Sequence, residues 1–255
     1  MHVSWTDRIF AYCERANDPS FWAEPLNAIS NAAFFIAAVL AAVALMHAKS
    51  GAPRRIEWLL VALTAAMGIG SFLFHTFATR WASVADTAPI GIFMLAYFGY
   101  AVRRYFGAHV VIVALALAGF ITALRFAHLI PCQPELLPIT AAAGSPCFNG
   151  SLGYVPALAA LLSIGGALLL RQHPAGPGVM IAGLVFAVSL TFRSLDFEFC
   201  ALTEVLGRPR GTHALWHILN AAVLYILLRT AIHHGRWEPT KVAEARAEHL
   251  RRGAA

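Results

Sequence analysis

Charge is what this sequence has least of. Only 13% of its 255 residues are Asp, Glu, Lys or Arg, about half the roughly 25% usual in a soluble domain. Hydrophobic residues reach 59%, more than a water-soluble core absorbs but suited to a bilayer. The opening residues, MHVSWTDRIFAYCERAND, lack the apolar stretch of a cleavable signal peptide, so the first span is expected to serve as the insertion signal. The net charge of +6 comes without any stripe of alternating basic and aromatic residues, which argues against a nucleic-acid partner. There is no internal repeat and no low-complexity segment beyond alanine richness.

Seven apolar runs are present, at about 26–46, 57–78, 83–102, 108–128, 152–170, 178–198 and 213–232. Each is close to the roughly 20 residues that a membrane-spanning helix needs. The third and fourth are less cleanly separated, leaving six as the alternative count. The expected fold is all-α: one seven-helix membrane domain over 1–235, then a basic tail at 236–255 lying on the cytoplasmic membrane surface.

Basic residues set the expected orientation. Lys49, Arg54, Arg55, Arg103, Arg104, Arg171, Arg236, Lys241, Arg246, Arg251 and Arg252 fall on one side. Arg8, Arg15, Arg80, Arg208 and Arg210 fall on the other. The heavier side is assigned to the cytoplasm, with the N-terminus outside and the C-terminus inside. Cys13, Cys132, Cys147 and Cys200 then all face the outer, oxidising compartment, where disulfides form. Four cysteines allow three pairings. Cys132 with Cys147 would close the long outer loop, leaving Cys13 with Cys200. The tryptophans fall near the predicted interfaces, and His47, His109, His128, His173, His233, His234 and His249 lie at loops or span ends.

Ionisable residues inside spans mark function by default. The second run ends in GIGSFLFHTFATRWAS, with Ser71 and His75 four apart on one helical face. Asp86 follows in VADTAPI. The last run opens GTHALWHILN, where His213 and His217 also share a face. His75 and Asp86 flank one outer turn, and the histidine pair begins an inward-running helix, so all five groups converge at one depth. Three neutral imidazoles suit zinc and leave a fourth position for a water whose pKa the metal lowers. Asp86 is the candidate to take that water's proton and pass it to a leaving amine. Ser71 is the candidate hydrogen-bond donor to a developing oxyanion. Arg193 and Asp196, at the end of the sixth run, would form an ion pair bracing this layer, with Asp196 bonding a histidine ligand.

Taken together, Ser-x3-His, Asp86 and the late His-x3-His resemble the alkaline ceramidases. These belong to a wider superfamily of seven-helix membrane hydrolases that includes the progestin and adipoQ receptors. The resemblance extends to YCER at Tyr12–Arg15, AEPLNAISN at Ala23–Asn31 and LDFEFC at Leu195–Cys200. It implies that His75, His213 and His217 ligate zinc, that Asp86 is the acid/base and Ser71 the oxyanion helper, and that Cys13 pairs with Cys200. The implied reaction splits the ceramide amide into a sphingoid base and a free fatty acid, in a pocket reached from the lipid. Some members of the family bind calcium through an acidic N-terminal segment. Glu14 and Glu24 match that pattern, whereas Ala11 and Ala16 stand where an aspartate and an asparagine are expected, with Asn17 or Asp18 as substitutes. The expected partners are a lipid substrate and the membrane; oligomeric state is not encoded legibly. Hydrolysis of another N-acyl lipid, or a lipid receptor with structural zinc, are the competing functions. Alanine-rich spans point to a bacterial inner membrane, with the site towards the periplasm.

Overall fold

The computed structural model describes residues 4–48, 54–130 and 147–234. Among these, seven helical segments are long and apolar enough to cross a membrane. The first combines α1 (Pro25–Ser30) and α2 (Ala32–His47), interrupted at Asn31. Then come α3 (Arg55–Phe77), α4 (Arg80–Tyr105), α5 (Val110–Leu129), a 3-10 segment (Cys147–Tyr154) leading into α6 (Val155–Leu170), α7 (Gly176–Ser194), a short 3-10 turn (Ala201–Thr203) and α8 (His213–His234). Helices are the expected solution in lipid, because each satisfies its backbone polar groups internally. The third and fourth runs are separate helices, so the described residues hold seven such segments rather than six.

Consecutive helices from α2 to α8 pack side by side, and α2 meets α8 to close the ring. α8 also contacts α3 across the bundle and is the most buried span, while α5 is the most exposed. Phe34, Leu60, Met67, Phe93, Phe186, Leu224 and Leu228 belong to the shared core. Alanine and glycine let the helices approach closely, as in other membrane bundles.

Several expectations require correction. The sixth run, expected to reach 198, ends as a helix at Ser194. Beyond it the chain turns so that Asp196 points back to the start of α8, where it accepts hydrogen bonds from Thr212 N and His213 N. Trp216 is a core residue, only 3% exposed, unlike Trp5 and Trp22, which are exposed. His173 is buried as well, with its ring beside that of Tyr105. The Cys13–Cys200 disulfide is formed. Cys147 is also disulfide-bonded; its expected partner Cys132, like Lys49 and the basic tail, lies outside the described residues.

Candidate active site

His75 sits in the last turn of α3, while His213 and His217 occupy the first two turns of α8. All three are at most 2% exposed. One ring nitrogen from each lies within 4.8 Å of the others, and among the described residues no second group of three or more His, Cys, Asp or Glu side chains is close enough to share a metal ion.

The hydrogen-bond network assigns two of the tautomers. His75 Nδ1 is 2.5 Å from Glu24 Oε2. Burial pushes the Glu24 carboxyl up, but His75, Arg15 and Asn27 together outweigh it and hold it below its ordinary value. A Glu24 carboxylate can only accept, so the contact is made by an N–H on His75 Nδ1, and the neutral tautomer with that proton leaves a lone pair on Nε2. Ser30 Oγ donates to Asn27 O at 2.9 Å, so it accepts from His217 Nδ1 at 2.7 Å. That leaves the His217 lone pair on Nε2, with Ser71 Oγ a distant 3.4 Å away. His75 Nε2 and His213 Nδ1 are buried with no hydrogen-bond partner. Unpartnered buried nitrogens are costly, and a cation of the zinc type would satisfy them. The donor set fits the metal that the sequence implied.

The N-terminal segment covers this centre. Tyr12 stacks on His213 with ring centroids 3.7 Å apart. The next residue, Cys13, is bonded to Cys200, with Cα atoms 5.7 Å apart. Asp196 ties the same layer together, accepting from Cys13 N at 2.9 Å, Thr212 N at 2.8 Å and His213 N at 2.9 Å. Burial pushes the Asp196 carboxyl up, against the pull of those amides. Its contact with Thr212 requires Gly211 (φ +67°), where an added Cβ would fall 2.2 Å from Asp196 Oδ1.

Asp86 is brought to Ser71 by a close crossing of α3 and α4. Pro89 has no amide hydrogen, so the carbonyl of Ala85, one turn earlier, has no helical partner there. Gly70 packs directly against that carbonyl; a Cβ on Gly70 would lie 2.0 Å from Ala85 O and 3.0 Å from Asp86 N. Ser71 and Asp86, each the next residue along, thereby line one cavity with His213, His217 and Arg193. The cavity holds about 900 Å³. It adjoins a smaller apolar pocket of about 70 Å³, with Met67, Ile90, Met94, Tyr154 and Trp216 in both walls.

A family model described as Ceramidase matches residues 10–152. The chain belongs to the ceramidase family. No curated protein matches it. Membership brings an amide-cleaving, ceramide-hydrolysing activity in general. Tyr12, Ser71, His75 and Asp86 lie inside the matched segment of this ceramidase; Asp196, His213 and His217 lie beyond it and reach the same centre through the fold.

Of the other expected site residues in this ceramidase, Arg193 does not pair with Asp196. Arg193 Nη1 donates to the Tyr12 hydroxyl at 2.9 Å, and its guanidinium lies over the rings of Tyr12, Tyr154 and Trp216. These faces attract a cation, and Asp196 is already used by amides. Asp196 does bond one of the three histidines, but at the His213 backbone amide rather than at its ring. Among the residues expected to bind calcium, Glu14 accepts from Leu26 N, Asn27 N and Arg210, and burial pushes its carboxyl up against those bonds. Asp18 Oδ1 accepts from Ser20 N, and Asn17 is exposed. Glu24 turns to His75. Its role as the histidine's partner, that of Ser30, and the stacking of Tyr12 were not read from sequence, although all three lie in the YCER and AEPLNAISN segments.

Proposed function

We propose that this protein is a zinc-dependent intramembrane hydrolase that cleaves the amide of ceramide to a sphingoid base and a free fatty acid. The observation that carries this reading is the buried histidine trio, with unpartnered nitrogens on His75 and His213, of which His213 and His217 line a cavity together with Asp86 and Ser71. Zinc bound there would acidify a water to a pKa of about 7 and polarise the amide carbonyl. Glu24 and Ser30 hold His75 and His217 in the ligating tautomers. Asp86 accepts the proton of the attacking water and delivers it to the amine nitrogen as the C–N bond breaks. Ser71 donates to the oxyanion that develops on the carbonyl. The adjoining apolar pocket suits a hydrocarbon chain, since lipid sites are largely apolar with a few placed polar groups.

The basic-residue asymmetry supports a site facing the non-cytoplasmic leaflet, and the alanine-rich spans favour a bacterial inner membrane with the site on the periplasmic side. The test is fatty-acid release from ceramide by purified protein in detergent, alongside His213→Ala. Release by wild type alone supports the reading. Zinc-loaded wild type that leaves ceramide intact would redirect it to another N-acyl lipid, or to a receptor with structural zinc.

A further inference from the structure

Arg15 is the largest fully buried side chain among the described residues, 1% exposed. Its guanidinium has five N–H donors, and five oxygens surround it. Nε donates to Glu24 Oε1 at 2.5 Å, Nη1 to Asp18 O at 3.1 Å and Ser20 O at 2.8 Å, and Nη2 to His75 O at 2.8 Å and Thr76 O at 3.2 Å. The last two carbonyls belong to the final turn of α3, which has no helical donors to offer them and carries the negative end of the helix dipole. Arg15 therefore grips His75 twice: by its own carbonyl, and through Glu24, whose other oxygen holds His75 Nδ1.

One carboxylate oxygen with four main-chain carbonyls is the kind of donor set a calcium ion takes. A calcium ion does not fit here, because a fixed positive charge already fills the cage, and both Glu14 oxygens face amides or Arg210.

We infer that Arg15 is a built-in cation standing in for calcium, and a positioning residue that orients His75 towards the metal through Glu24. This rests on the reading of His75 as a zinc ligand. It makes both the histidine centre and the fold indifferent to calcium. Loss of the guanidinium frees the Glu24 carboxylate from its counter-charge and loosens His75; removing such outer partners typically weakens metal affinity about 10–100-fold.

The experiment uses the full chain in detergent, with two readouts besides activity: zinc affinity by chelator competition, and the thermal midpoint in EGTA against millimolar calcium. Wild type is expected to show the same zinc affinity and the same midpoint in both. Arg15→Ala is expected to lose zinc affinity about 10–100-fold, with recovery in low-millimolar guanidinium, which a merely structural role would not produce. A saturable rise of the wild-type midpoint with calcium overturns the inference, as does an Arg15→Ala protein with wild-type zinc affinity. If Arg15→Ala fails to fold, the calcium comparison on wild type decides alone. Wild type that binds no zinc at all would refute the histidine reading instead, and the calcium readout still judges the stand-in.

Discussion

Gly70→Ala tests how Asp86 and Ser71, the proposed catalytic pair, are brought together. The added methyl would meet Ala85 O at 2.0 Å and Ala85 C at 2.5 Å. Both are main-chain atoms, so no side-chain rotation relieves the clash. Against an ordinary contact of about 3.4 Å, the two helices must separate by roughly 1.4 Å at this point, an overpacking strain of about 1–3 kcal/mol. Asp86 follows Ala85 and moves with it, whereas His213 and His217 sit on α8 and stay. A displacement of about 1 Å at a reacting group costs on the order of 100-fold in rate. The expected result is a folded, zinc-bound protein whose kcat for fatty-acid release falls about 100-fold. Gly119→Ala is the control: a Cβ there meets nothing within 4 Å, and its rate should match wild type. Gly70→Ala turning over at the wild-type rate would refute the argument that this crossing sets the position of Asp86.

Other outcomes follow from the same geometry. Asp86→Asn should keep zinc, measured by metal analysis, and lose turnover by about 100- to 10,000-fold; retained turnover would remove its acid/base role. Removing zinc with a chelator should abolish fatty-acid release, and added zinc should restore it, since two nitrogens of the trio have no other partner. Reduction, or Cys13→Ser, should lower the thermal midpoint and zinc retention together, because the bond fastens the segment whose Tyr12 stacks on His213. An unchanged midpoint after confirmed reduction would refute that coupling.

Much of this was legible because the signals are local. Hydrophobic runs longer than 18 residues mark spans wherever they fall, and the spacing of His213 and His217 puts both on one helical face without knowledge of the neighbours. The errors arise where tertiary contacts decide. Leu195 and Phe197 carry the apolar character of the sixth run past Ser194, where the helix ends and Asp196 instead accepts from the first amides of α8. Arg193 and Asp196 look like a pair in sequence, yet three aromatic faces and three amides, all from elsewhere in the chain, claim them separately. Trp216 follows His213 at a helix start and reads as interfacial, but α8 is the bundle's most buried span. Glu24 resembles a calcium ligand until the position of His75, 51 residues later, is known.

The clasp between Cys13 and Cys200 joins residues 187 apart in sequence. At a ribosomal pace of about 5–20 residues per second, roughly 10–40 s separate the synthesis of its two ends. During that interval the nascent chain holds at most one of the three histidines and lacks His213, on which Tyr12 stacks. On the proposed reading the hydrolytic centre is therefore completed only when α8 has been made, and a chain cut short before His213 and His217 would be expected to leave the surrounding lipids intact.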